Sequence, residues 1–197
     1  MFSWRWILVA LIVFGAIHQW RGRSVTVPPG SIAPNDPVQT MLDRGPEYQQ
    51  NNYKLKALAE FTVEARVLSK ETYSSDREAE LSPVDLALGW GAMSDSAVLD
   101  KLSIGQGNRF YHYHWDNEPP RPPAEIASHS ANMHLIPTTP ELEKKMKAVR
   151  VGQVVTIRGQ LVEATAADGW HWRSSLTRDD TGAGACEVIR VEAIEVK

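Results

Sequence analysis

The carboxyl-terminal run of strand signals, residues 152–196, constrains this chain most. Along GQVVTIRGQLVEA, Val155, Ile157 and Leu161 fall on one face and Thr156, Arg158 and Gln160 on the other. A period of two is the pattern of a half-buried strand. Asp168-Gly169 predicts a tight hairpin turn, because glycine reaches positive φ without steric cost. In CEVIRVEAIEV the phase changes: Ile189, Val191 and Ala193 share one face, whereas Ile194 and Val196 share the other. A bulge is expected there. Gly159, in mid-strand, predicts a second bulge or a sharp coil of the kind small barrels use at corners.

The rest of the chain supplies partners for these strands. Phe61, Val63, Ala65 and Val67 alternate with Thr62, Glu64 and Arg66, and residues 84–90 read as a second strand. Residues 73–80 are polar and read as a loop. Ser94 or Asp95 can cap a short helix through about Leu102. Residues 105–108 predict a turn, 109–115 a strand and 125–130 one helical turn. Residues 133–136 are expected to be extended, since Pro137 disfavours a helical residue before it. Thr139-Pro140-Glu141 starts a helix, with a capping threonine, proline at the first position and an acid in the first turn. The fold class expected is α+β and β-rich: a small, partly open β-barrel with two or three short helices.

Residues 53–197 are numerous enough to bury a core without disulfides or metal. Cys186 is the single cysteine, so no intrachain disulfide forms. It opens an apolar strand and reads as a buried small hydrophobe rather than a nucleophile. The chain has 21 basic and 24 acidic residues; beyond residue 52 these are 17 against 21, a net of −4. Nucleic-acid binders of this size carry a basic excess, which argues against that class. The densest basic run, Lys144-Lys145-Met146-Lys147 with Arg150, ends the predicted helix and complements its dipole.

Residues 4–20 are expected to form a membrane anchor. The run from Trp6 to Ile17 is apolar apart from Gly15, with Trp4, Trp6 and Trp20 flanking it as interfacial aromatics do. As a helix, Trp4 to Trp20 spans about 25 Å, short but near the lower limit for crossing a bilayer. Cleavage as a signal peptide needs small residues one and three positions before the cut. Ala16 with Phe14 fails, Gly22 and Ser24 are split by Arg23, and Ser31 with Ala33 lies far downstream. Flanking charges are nearly balanced: the amino terminus and Arg5 stand against Arg21 and Arg23. The short tail before a long domain favours an extracytoplasmic, periplasmic domain. Residues 21–52 hold five prolines and no sustained period, which predicts a linker holding the domain off the membrane. Val38 to Leu42 is the part most able to dock.

Three constellations carry candidate chemistry. Tyr111-His112-Tyr113-His114-Trp115 puts three rings on one face and both histidines on the other, and Trp170-His171-Trp172 repeats it in miniature. His112, His114 and His171 are therefore candidate zinc ligands, with His129 and His134 as further ones. The bland alternative is a ring-filled core with solvent-facing histidines, and no complete metal signature is present. The loop 174–187 is rich in glycine and could offer N–H groups to an anion beside Arg178, although it lacks the lysine of a P-loop. Gly89-Trp90-Gly91 could expose Trp90 to a ligand, or serve a plain turn. Trp90, Trp170, Trp172 and Arg178 are the candidate ligand-binding residues.

DLALGWGAMSD, SANMHLIP and WRSSLTRDDTGAGACE resemble a group of uncharacterised bacterial single-pass membrane proteins, over roughly residues 61–196. The resemblance implies one amino-terminal membrane segment and brings no catalytic residue. The strand at 153–163 and its hairpin are similar to strands of OB-type barrels, which host nucleic-acid, sugar and protein ligands alike. The function expected is a non-catalytic, membrane-anchored binding or assembly module without a cofactor, meeting another envelope protein or a small ligand. The alternative is a zinc-dependent enzyme or metalloprotein using the histidines.

Overall fold

One strand of 20 residues, β3 (Tyr53–Thr72), forms the spine of the fold. The computed structural model describes residues 4, 6–9, 11, 23–177 and 186–197. Only the window 61–67 is expected as a strand above; the alternation continues back through Ala59, Ala57, Leu55 and Tyr53, and a bulge divides it between two different cores. Ala57 pairs with Val162 but Ala59 pairs with Leu161, so Leu58 is the extra residue of a bulge. Before it, Tyr53 and Leu55 belong to an outer cluster with Val162, Val188 and Ile136. After it, Phe61, Val63, Ala65 and Val67 line the main core. A second register shift at Leu68 sends that side chain outward, onto Met93 and Ile126.

Five strands pair in a circuit. β3 lies antiparallel to β4 (Val84–Gly89), and β4 antiparallel to β7 (Ser130–Pro137). β7 runs parallel to β10 (Glu187–Val196). β10 is antiparallel to β8 (Val154–Ala166), which returns to β3 over thirteen pairs. Enclosed between them are Phe61, Leu86, Leu88, Met133, Leu135, Ile157, Leu161 and Val191, with Met146 and Val149 covering one end. The architecture is thus β-rich α+β, as expected. Trp90 belongs to this core at 1% exposure, so it is a packing residue and not a ligand platform.

Gly159 acts differently from expectation. Its pairing with Phe61 is regular, and the bulge lies across from it in β10, between Val191 and Ala193. A Cβ on Gly159 would collide with the carbonyl oxygen of Arg190. The glycine therefore permits close approach of β8 and β10. The phase change read in the last strand is this β10 bulge.

The helices are α1 (Ser96–Leu99), α2 (Pro123–Ser128) and α3 (Pro140–Ala148). Asp95 caps α1 by accepting from Ala97 N, and Thr139 caps α3 by accepting from Leu142 N, both as the capping chemistry predicts. Between β4 and β7, β5 (Ser103–Gly107) and β6 (Phe110–His114) make a separate two-stranded sheet. Its turn falls at Asn108 and Arg109, with φ of 50° and 68°, rather than at 105–108. Gly105 serves another purpose: a Cβ there would meet the His112 ring across the hairpin.

The expected linker also needs correction. Of residues 21–52, those from Ser24 onward lie against the domain. Val25 N donates to Val151 O at 2.7 Å, Ser96 Oγ to Val27 O at 2.6 Å, and Gly91 N to Ala33 O at 2.8 Å. β1 (Val38–Met41) and β2 (Glu47–Gln50) then pair with β3 over residues 53–62. The reason is backbone satisfaction. β4 reaches only Arg66–Thr72, so the earlier edge of β3 would otherwise lack partners. The docking foreseen for Val38 to Leu42 is the start of this cover. Residues 4, 6–9 and 11 are helical with exposed apolar side chains. Among the described residues no helix is long and apolar enough to cross a membrane, and most of the expected anchor 4–20 lies outside them.

Candidate functional site

The strand period that buries Val84, Leu86 and Leu88 turns Asp85 to the opposite face of β4. On β7 the same rule buries Met133 and Leu135 and turns out Asn132 and His134. Asp85 and His134 are direct cross-strand partners. A carboxylate and an imidazole thus stand side by side on the outside of the circuit. Both are nevertheless buried, Asp85 at 0% and His134 at 2% exposure. Arg109, at the tip of the β5–β6 hairpin, covers Asp85, and the Trp172 ring covers His134. Tyr111 and Tyr113 of the hairpin, with Trp115 after it, pack on Leu68, Ala87, Met93 and Ile126.

At the hairpin tip, Arg109 reaches into this face. Its Nη1 donates to Asp85 Oδ1 and to Ser82 O, both at 2.9 Å. Its Nε and Nη2 hold Asp76 in a two-pronged pair at 2.9 and 2.7 Å. The guanidinium carbon lies 3.7 Å from the centre of the Tyr73 ring, a cation–π contact, and 5.9 Å from that of Trp172. Arg109 N donates to Tyr73 Oη at 3.1 Å. Asn132 Nδ2 donates to Arg109 O at 2.9 Å and receives Gln106 Nε2 on its own Oδ1 at 2.6 Å. An arginine at φ 68° is unusual and costs on the order of 1 kcal/mol. The contacts made by its side chain hold it there.

Electrostatics follow the geometry. Burial works against the Arg109 charge, but the Asp76 hydrogen bonds and the nearby Asp85 outweigh it and hold the guanidinium above its ordinary value. Arg109 hydrogen bonds hold the Asp76 carboxyl below its ordinary 3.8, against a smaller opposing effect of burial. Burial pushes the Tyr73 phenol up. His134 Nδ1 sits 2.9 Å from Asp85 Oδ2, yet the two atoms do not align as a hydrogen bond. The contact is therefore one of proximity, an ion pair only when the imidazole is protonated. The Trp172 ring covers His134 at 4.7 Å between centroids.

A pH dependence results. A depressed folded pKa on Asp76 contributes stability that is complete above the ordinary 3.8 and is lost as pH falls through the lower folded value. The protection factor of the Arg109 amide should hold steady from pH 7 to about 5 and fall below about 4. Asp76→Asn should lower it at neutral pH and abolish that acid step. An unchanged profile in the variant would remove Asp76 from the clasp.

The residues singled out by sequence distribute unevenly. Trp172 roofs the Asp85–His134 pair, whereas Trp170 packs on Tyr53 and under Arg77, whose guanidinium carbon is 4.9 Å from its ring. His112 and His114 face outward from β6, and His171 faces outward from β9 (His171–Arg173) in the other sheet. The expected convergence of these three is not seen, and among the described residues no three His, Cys, Asp or Glu side chains gather around a metal-sized space. The rings took the inward face of the hairpin and left the histidines to solvent. His129 instead hydrogen-bonds within α2 and its own loop, its Nδ1 2.8 Å from Glu125 O. Arg178 and most of the loop 174–187 lie outside the described residues. Cys186 is half-buried rather than buried, its Sγ 3.9 Å from Asn132 Nδ2 and 4.0 Å from Arg109 O.

Asp85, Arg109, Asp76 and Tyr73 were missed as a group. A signal was present for Asp85, and for His134 beside it. Asp85 interrupts the apolar run PVDLALG and His134 interrupts NMHLIP. A charge in a buried strand has to be paired. No family model matches this chain, and neither the curated proteins nor the solved structures give a match.

Proposed function

We propose that the chain is a single-pass, membrane-anchored, extracytoplasmic (periplasmic) binding or assembly module built on an OB-type barrel. Its partner is another envelope protein or a small ligand. The circuit β3-β4-β7-β10-β8, with α3 between its third and fourth strands in sequence, is the basis for the barrel reading. The resemblance to bacterial single-pass proteins and the exposed apolar helical residues Trp4, Trp6 and Leu11 are the basis for the anchor.

One observation carries the binding reading. OB barrels take ligands on the face of their second and third strands, between the loops that follow the first and fourth. Asp85 and His134 lie on those strands here, Asp76 in the first of those loops, and Trp172 after the fourth strand. That face holds a guanidinium between two carboxylates and an aromatic ring. The charges of this set satisfy one another and fasten the hairpin over the face, so a partner would meet the surface around it. Fold analogy does not select the ligand. Surface for a partner remains at β1, the first strand in the sheet order, where Val38 and Met41 are exposed, and at Phe110 on the hairpin.

The test is photo-cross-linking in the living cell, with the reactive residue placed at Val38, Met41 or Phe110 of the full chain. A discrete adduct, absent from a control position such as Glu192, is the result expected. No adduct at any of the three, together with stoichiometric zinc lost on His112→Ala, would replace this reading with the metalloprotein.

A further inference from the structure

We propose that the end of the domain formed by the carboxyl terminus of α3 and the connection to β8 is a docking face for anionic phospholipid headgroups; this rests on residues 4–20 being a membrane anchor. The first observation is the length of the tether. Trp20 ends the anchor and Val25 is already hydrogen-bonded to Val151. Five residues of chain reach at most about 18 Å. Val25 therefore lies within that distance of the membrane interface, with Val151 one hydrogen bond beyond it and the carboxyl end of α3 joined to Val151 through Val149 and Arg150. Further bonds keep the tail seated: Ser96 Oγ donates to Val27 O at 2.6 Å, and Gly30 N to Asp95 Oδ1 at 2.8 Å.

The second observation is charge that helix capping does not use. The last carbonyls of α3 are already met by Lys70, whose Nζ donates to Lys147 O at 2.8 Å and to Val149 O at 2.6 Å. The helix dipole is thus complemented from β3. Lys147 pairs with Glu143 at 2.6 Å. Lys144, Lys145, Arg150 and, at the tether itself, Arg23 have no acid within ion-pair distance among the described residues, and both lysines are exposed. Elsewhere the pattern is the reverse: Lys54, Arg77, Arg121, Arg158, Arg173, Arg190 and Lys197 each hold a carboxylate. The remaining described cations without a carboxylate are Arg44, Lys56 and Lys101, with Arg66 bound to Ser94 O and Ser96 Oγ and Lys70 bound to the α3 carbonyls. Asp95 and Asp100, beside the docked tail, and Glu141 and Glu143, on α3, are acids of this end.

A basic cluster next to a membrane segment is the arrangement that attracts acidic lipids, and each cation near such a surface adds its share of attraction. The domain as a whole is acidic, so this attraction also orients it, holding the α3 end down and turning β1 and the hairpin tip elsewhere.

The experiment uses the full chain in nanodiscs of phosphatidylcholine, with or without phosphatidylglycerol, and amine acetylation read by mass spectrometry. Lys144 and Lys145 should label about fivefold more slowly in the anionic discs, the factor that one charge near such a surface commands. Lys56 lies eleven residues along β3 from Val67, about 36 Å of strand, and should label equally in both. Lys144→Glu with Lys145→Glu should remove the lipid dependence at Lys147, and the double arginine variant should retain it. Equal labelling in both lipids, from protein that resists alkaline extraction, would overturn the lipid face and leave the anchor standing. Extraction by alkali would overturn the anchor and this proposal with it.

Discussion

Asp85→Ala lowers the unfolding free energy by about 3–5 kcal/mol, the cost of breaking a buried ion pair and leaving its partner without a counter-charge. Asp85 is completely buried and serves three neighbours at once: Arg109 at 2.9 Å, His134 at 2.9 Å and Ser82 Oγ at 3.3 Å. Removing it leaves the Arg109 guanidinium, itself only 13% exposed, with one carboxylate at the outer edge. Volume is not the issue. Asp85→Asn should therefore cost nearly as much as Asp85→Ala, because the amide keeps the shape and loses the charge. Replacing both partners, Asp85→Asn with Arg109→Leu, should recover part of the loss, since the stranded charge goes as well. Denaturant titrations in detergent of the parent, Asp85→Asn, Arg109→Leu and the double variant supply the cycle, with Asp85→Ala measured beside them. Loss of less than about 1 kcal/mol in Asp85→Ala, the level of an exposed pair, would show that the clasp is ornamental.

Gly159→Ala should also be damaging, at about 1–3 kcal/mol. The new methyl would meet the carbonyl oxygen of Arg190, and that atom belongs to backbone that β10 cannot withdraw without losing its pairing to β8. A side chain could rotate away; a paired strand cannot. Gly107→Ala provides the contrast, since nothing lies within 4 Å of a Cβ there. It should stay within about 0.5 kcal/mol of the parent. Equal effects at the two glycines would mean that β8 and β10 approach less closely than described.

Local signals in the sequence were reliable where the physics was local. The Thr139 and Asp95 caps, the Asp168-Gly169 turn and the phase change of the last strand each depend on a few neighbouring residues. β3 was underestimated for a definite reason: a bulge at Leu58 moves an unbroken alternation from one core to another, and sequence period alone does not register the change of face. The linker was misread because its partner, the bare edge of β3, exists only once β3 is known to outrun β4. Trp90 and the histidines erred in the same direction. Residues conspicuous by type were credited with exposure or convergence, whereas the inward face went to the rings and left His112 and His114 outside. The clasp was the least legible feature. Arg109 and Asp85 are 24 residues apart and meet only because a hairpin folds back over the strand that precedes it.

The proposed function requires a domain held at a membrane with its surface open to partners outside the cytoplasm. Fractionation of cells making the full chain, followed by alkaline extraction and by protease added to spheroplasts, measures this directly. The chain should remain in the membrane pellet at high pH, and the added protease should digest its folded domain without lysis of the inner membrane. Release by alkali, or a domain that resists protease until the inner membrane is broken, would contradict it.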